Sequence, residues 1–144
     1  MDTGLDDRQS AILVVEENRF LCEMICAWLQ GAGYTARGVQ TEREAAAALE
    51  DGGFDLVLLD MDVGPGQASS LIHTVRSKLS GMALVLLTGA VRHDDLVQAL
   101  AEDAACVAMD KPYSFFALGL VIKAALARSR DRGRRPEAPC ACGG

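Results

Sequence analysis

The sequence predicts one α/β domain built on a parallel sheet with helices on both faces. Three observations carry this reading. Short runs of consecutive apolar residues with β-branched members read as strands buried on both faces, as the strands of parallel sheets are. Each run is followed by a segment whose apolar residues recur at helical spacing, long enough for a right-handed crossover. The chain has 144 residues, 50% of them hydrophobic, and a mean hydropathy of +0.15, which suits one compact domain with a real core.

In chain order, Met1 to Ser10 is polar and acidic and is expected to be mobile, the first segment of a 1–10, 11–128, 129–144 division. Ala11-Ile12-Leu13-Val14-Val15 is the first buried strand and ends at Glu16-Glu17-Asn18. From Arg19 to Gln30 the residues Phe20, Leu21, Met24, Ile25, Trp28 and Leu29 form a helical stripe expected to pack on the sheet, with Gly31 or Gly33 as the stop. Trp28 is read as core, and Cys22 and Cys26, one turn apart, as small hydrophobes. Tyr34 to Val39 is a weak second strand. Thr41-Glu42-Arg43-Glu44 has the capping-box form and opens an alanine-rich helix to about Glu50, ended by Gly52-Gly53.

The third strand, Asp55-Leu56-Val57-Leu58-Leu59-Asp60, leads into Met61-Asp62 and a Gly64-Pro65-Gly66 loop. A third helix runs from about Ala68 to Leu79, with Leu71, Ile72, Val75 and Leu79 on one face. Met82 to Leu87 is a fourth strand ending at Thr88-Gly89, and Asp94 to Glu102 a short fourth helix. Cys106 to Met109 is a fifth strand, followed by the turn Asp110-Lys111-Pro112 and a last helix from about Ser114 to Arg128. Ser129 to Gly144, rich in Arg, Gly and Pro, is expected to be a disordered tail whose arginines are solvated.

Charge and cysteine content narrow the function. A net charge of -6 and a pI near 4.8 argue against a nucleic-acid surface, which needs a basic footprint. The apolar stretch from Ser114 stops at Lys123, too short to span a bilayer, and Met1 to Asp7 lacks the pattern of a signal peptide, so a cytoplasmic location and no membrane partner are expected. The five cysteines then read as reduced thiols; Cys140 and Cys142 supply two soft ligands where structural zinc needs four. His73 and His93 are too scattered for a metal site and read as surface residues.

Parallel strands bring their carboxyl ends to one edge, where open α/β sheets bind ligands. Those ends carry Glu16 and Glu17, Asp60 and Asp62, Thr88, and Lys111. Crowded carboxylates repel, and the usual remedies are a hard divalent cation and a nearby ammonium; Mg2+ takes oxygen ligands and keeps waters that a phosphate can replace. A carboxylate beside such a cation, a lysine and a hydroxyl donor is a nucleophile for phosphoryl transfer.

This set, in this order, resembles the receiver domain of bacterial two-component response regulators over Ala11 to Arg128. The resemblance implies a flavodoxin-like, doubly wound sheet of strand order 2-1-3-4-5, with Asp60 as phosphoacceptor from a sensor histidine kinase or phosphotransfer protein. It implies Mg2+ held by Glu17 and Asp60 through carboxylates, by Asp62 through its backbone carbonyl and by Glu16 through water. Thr88 and Lys111 would hold the phosphoryl oxygens and pass the change to the face of the fourth helix, fifth strand and fifth helix. The expected protein is a stand-alone signalling switch or relay, a monomer or weak homodimer. No DNA-binding output domain is expected, and its catalysis would be limited to Mg2+-dependent self-phosphorylation and slow autodephosphorylation. Output would be contact with a downstream protein.

The sequence departs from the family's pattern in four ways. The acid pair is Glu16-Glu17 rather than one containing Asp, each arm longer by one bond of about 1.5 Å. The switch aromatic, normally three residues before the lysine, is Ala108. The loop places that usually hold Pro and Gly hold Gly64 and Ala68, with Pro65 displaced by one. Asp62 adds a negative charge where the family tunes the lifetime of the phosphoryl group. Two other readings follow. A pseudo-receiver would keep the fold without phosphate switching. A haloacid-dehalogenase-type phosphatase is suggested by Asp60-Met61-Asp62-Val63, against which the acids preceding Asp60 argue.

Overall fold

A computed structural model of the chain describes residues 9–62, 67–79, 81–89 and 106–134. Five parallel strands, β1 (Ala11–Val15), β2 (Thr35–Val39), β3 (Leu56–Asp60), β4 (Ala83–Thr88) and β5 (Cys106–Asp110), form one sheet in the order β2-β1-β3-β4-β5. Four helices are described: α1 (Arg19–Gly31), α2 (Glu42–Asp51), α3 (Gln67–Lys78) and α4 (Phe115–Arg134). The fold class and strand order are those expected. The expected helix at 94–102 lies outside the described residues, as do the Gly64-Pro65-Gly66 loop, His93, Cys140 and Cys142.

Alternation along the central strands divides the core in two, because successive strand residues face opposite sides of the sheet. Leu13, Val15, Val57, Leu59, Leu84 and Leu86 pack on one side against Ala45, Ala48 and Leu49 of α2 and Leu71, Ile72 and Val75 of α3. Ile12, Val14, Leu56, Leu58, Val85 and Leu87 pack on the other against Cys22, Ile25 and Leu29 of α1 and Leu118, Ile122 and Ala125 of α4. Both faces are therefore covered, which is why β1, β3 and β4 read as unbroken apolar runs. The edge strands β2 and β5 are partly exposed and read more weakly.

Local signals fix the ends of the elements. Asn18 Oδ1 caps α1 by accepting from the Leu21 amide at 2.9 Å. Thr41 Oγ1 accepts from the Glu44 amide at 3.1 Å, and Glu44 Oε1 reaches back to the Gln40 amide at 2.9 Å. Gly52 ends α2 at φ 79°, a conformation that costs glycine little. Asp55 pins the starts of two strands: its amide donates to Ala11 O at 2.8 Å, and its Oδ2 accepts from Ala11 N at 2.8 Å.

Four expectations are corrected. Phe20 and Met24 are not on the packing face of α1, being 71% and 44% exposed, whereas Cys22, Ile25 and Leu29 are fully buried. At about 100° per residue, Met24 stands about 100° and Phe20 about 140° around the helix from Ile25. Trp28 is half-buried and packs its ring against Phe115, centroids 5.1 Å apart, joining α1 to α4. The last helix runs to Arg134, past the expected end at Arg128. Its extension is anchored by Ser129, whose hydroxyl donates to Gly81 O at 2.6 Å, and by Arg130, whose guanidinium donates to Ser10 Oγ at 2.8 Å. Ser10 is buried rather than part of a mobile end, and its carbonyl accepts from Thr35 N at 2.9 Å. His73, as expected, is exposed.

The reassigned face of α1 yields a stability test. Ile25→Ala is expected to lower unfolding free energy by about 2–5 kcal/mol, the range for truncating a core Ile, and Phe20→Ser by under about 0.5 kcal/mol. Urea unfolding of both variants reads the two values; a Phe20→Ser cost as large as that of Ile25→Ala contradicts the orientation.

Candidate functional site

The parallel register sets the site. Val15 pairs with Leu59 and Asp60 with Leu87, so Glu16, Asp60 and Thr88 leave three adjacent strands at one edge. Thr88 pairs with Asp110 on β5, which delivers Lys111 to the same edge, and the Lys111 amide donates to Thr88 O at 2.8 Å. The Lys111–Pro112 peptide that follows is cis.

Asp60 is 4% exposed and Glu16 is 4% exposed, the two buried carboxylates of the described residues. Burying a carboxylate is costly unless it is paired. Asp60 is paired: Lys111 Nζ stands 2.8 Å from its Oδ1, and the same oxygen accepts from the Asp62 amide at 2.9 Å. Asp62 Oδ2 lies 3.4 Å from Lys111 Nζ, so the ammonium bridges two acids. Gly89 makes room for this. A Cβ at position 89 would collide with Asp62 Oδ2 and stand 3.1 Å from Lys111 Cδ.

Glu16 is less well served. Its Oε2 accepts from the Asn18 amide at 2.9 Å, but its buried Oε1 has no hydrogen-bond donor. Burial, and then the facing Asp60 carboxylate, raise its pKa from 4.5 to about 7, against the lowering effects of the Asn18 amide and Lys111. Partial burial pulls Lys111 down, but the hydrogen bond and charge of Asp60, helped by Asp62 and Glu16, outweigh it and the net shift is upward. Tyr113, half-buried beside the acids, is raised by burial and then by the charge of Glu16.

The structure thus brings together Glu16, Asp60, Asp62 and Lys111. Glu17 is exposed, and among the described residues it makes no hydrogen bond or ion pair with that group. No group of three His, Cys, Asp or Glu side chains among the described residues is arranged to hold a metal ion as placed. The Thr88 hydroxyl is engaged on the far side, donating to Asp110 Oδ1 at 2.6 Å, with Met109 O at 3.4 Å. Sequence reasoning did not single out Asn18, Gly89, Asp110 or Tyr113 for this site. Of these, Asp110 carried a partial signal, since it stands just before the lysine, but its place beside Thr88 follows only from the β4–β5 register.

Residues 12–122 match the response regulator receiver domain family, which is most of the chain and all of the sheet but Ala11. The chain belongs to that family. This receiver domain is 31% identical over 127 residues to the DNA-binding response regulator MtrA of Mycolicibacterium smegmatis, covering 88% of this chain and 55% of that protein. It is 28% identical over 125 residues to the transcriptional regulatory protein BasR of Escherichia coli, covering 85% and 54%. It is 31% identical over 93 residues to the swarming motility regulation protein RssB of Serratia marcescens, covering 65% and 42%. The chain spans about half the length of these curated relatives. Among solved structures, a CheY-like receiver domain protein from Methanospirillum hungatei superposes with a TM-score of 0.77 at 22% identity, covering 87% of this chain and 99% of that one. A receiver domain protein from Clostridium thermocellum gives 0.77 at 21% identity, covering 85% and 98%. These likenesses show the receiver fold, and the family match sets the phosphatase reading aside. No helix among the described residues is long and apolar enough to cross a membrane.

The raised pKa of Glu16 makes stability depend on pH. A folded pKa above the unfolded one stabilises fully below about pH 4.5, and the contribution is lost as pH rises through about 7. The shift corresponds to on the order of 3 kcal/mol. Glu16→Gln, which cannot ionise, is expected to be more stable than the parent protein by on the order of 2–3 kcal/mol at pH 8 and indistinguishable at pH 4 in Mg2+-free buffer. Denaturant unfolding at the two pH values reads the difference; an equal effect at both contradicts the assignment.

Proposed function

We propose that this receiver domain is a phosphorylation-dependent switch in which Asp60 takes a phosphoryl group from the phosphohistidine of a sensor kinase or phosphotransfer protein. The observation that carries the reading is a carboxylate 4% exposed at the ligand-binding edge of a parallel sheet, with an ammonium 2.8 Å from one of its oxygens. Oδ1 of Asp60 accepts from Lys111 and from the Asp62 amide, so Oδ2 is the attacking oxygen in this reading. It forms the new O–P bond as the P–N bond to the donor imidazole breaks, and the electron pair of that bond returns to the imidazole nitrogen. Lys111, already beside Asp60, then stabilises the added negative charge. Thr88 supplies a hydroxyl donor from the next strand.

The donor set is entirely oxygen, and the Glu16 Oε1 without a donor is a ligand atom in waiting, so the residues fit a hard divalent ion in kind. Glu16, Glu17 and Asp60, with the Asp62 backbone carbonyl, are the residues that would hold Mg2+. Bound there, it would supply positive charge against the phosphoryl oxygens and relieve the repulsion between Glu16 and Asp60. Output in this reading is contact with a downstream protein.

Incubation with acetyl phosphate and Mg2+ is expected to add one phosphoryl group to the intact mass, and neither Asp60→Asn nor Mg2+-free protein is expected to gain it. Lys111→Ala should slow the reaction by about 10²-fold or more, the scale of removing one preorganised charge. A parent protein that gains no mass under these conditions is instead a pseudo-receiver.

A further inference from the structure

Thr88 is held in the resting domain by a residue that no part of the phosphoryl-transfer reading uses. Its hydroxyl donates to Asp110 Oδ1 at 2.6 Å, a distance typical of a hydrogen bond to a charged acceptor. The backbone prepares the contact. Thr88 and Asp110 are directly paired in the β4–β5 register, and the Lys111 amide donates to Thr88 O at 2.8 Å, locking the two strand ends together. Asp110 is exposed on an edge strand. Two residues before it stands Ala108, also exposed, with no side-chain rotamer to swing.

A threonine hydroxyl has one hydrogen to give. It can go to Asp110 or to a phosphoryl oxygen on Asp60, not to both. We propose that Asp110 is a latch on Thr88: it holds the hydroxyl in the unphosphorylated domain and releases it on phosphorylation of Asp60, leaving a bare carboxylate on the exposed edge of β5. The device takes the place of a rotating aromatic side chain. It converts an event at the buried end of β3 into a change of hydrogen bonding, and hence of displayed charge, at the sheet's edge. Asp110 is a positioning residue, acting through Thr88 rather than on the transferred group. The inference rests on Asp60 being the phosphoacceptor.

The test is a double-mutant cycle on the full chain, using beryllofluoride with Mg2+ as a stable mimic of the phosphoryl group and 19F NMR to titrate the bound signal. Asp110→Ala is expected to tighten beryllofluoride binding about three- to tenfold, the effect of removing one competing hydrogen bond. In a Thr88→Val background the same change should have an effect at least about threefold smaller, because no hydroxyl is left to hold; any effect of the lost charge alone is common to both arms and cancels in the ratio of the two effects. Asp110→Asn, which keeps an acceptor oxygen, should fall between. In the unmodified protein, Asp110→Ala should also move the Thr88 methyl resonance toward its position in the beryllofluoride-bound parent. Equal effects of Asp110→Ala with and without the Thr88 hydroxyl would overturn the latch. Failure of the parent protein to bind beryllofluoride at all would instead overturn the Asp60 reading on which it rests.

Discussion

The contact on which the site depends is the 2.8 Å pair between Lys111 Nζ and Asp60 Oδ1. A carboxylate 4% exposed among leucine and valine strands is tolerable only with a partner, and the partner comes from the far end of β5, 51 residues along the chain. Bringing them together takes three strands in parallel register and two apolar layers to hold those strands. The fold's role in function is therefore specific. It converts hydrophobic burial on both faces of a sheet into a fixed distance between two opposite charges at its edge.

Around that pair the charges are unevenly satisfied, and the imbalance has a direction. Asp60 and Asp62 share Lys111, while Glu16 faces Asp60 with one oxygen lacking a donor and a pKa raised to about 7. Three acids and one ammonium in contact leave a local excess of negative charge, which a proton relieves at low pH and a hard cation can relieve at neutral pH. The site is strained toward binding positive charge. Gly89 belongs to the same economy of space, since any side chain there would displace the Asp62 carboxylate from Lys111.

Much of this was legible in the sequence, for identifiable reasons. The strands announced themselves because β1, β3 and β4 are covered on both faces, so no polar alternation interrupts them, and the acids and lysine that follow them fell at the ligand edge by topology alone. The orientation of α1 was harder. Its face is centred on Cys22, Ile25 and Leu29, and a stripe drawn through the largest apolar residues took in the exposed Phe20 and Met24. The end of α4 could not be read from composition, because Ser129 and Arg130 are secured by partners 48 and 120 residues away. Within the site, Asp60 and Lys111 follow from position, but the partner of Thr88 requires the β4–β5 register, and the need for glycine at 89 requires the Asp62 rotamer.

The central claim is that the chemistry happens at Asp60, and its most direct test locates the bond. Borohydride reduces an acyl phosphate, but not a free carboxylate, to the alcohol. After phosphorylation with acetyl phosphate and Mg2+, reduction and peptide fragmentation should reveal homoserine at position 60 and nowhere else. Homoserine at another aspartate, or a phosphorylated protein that yields none, would contradict the role assigned to Asp60.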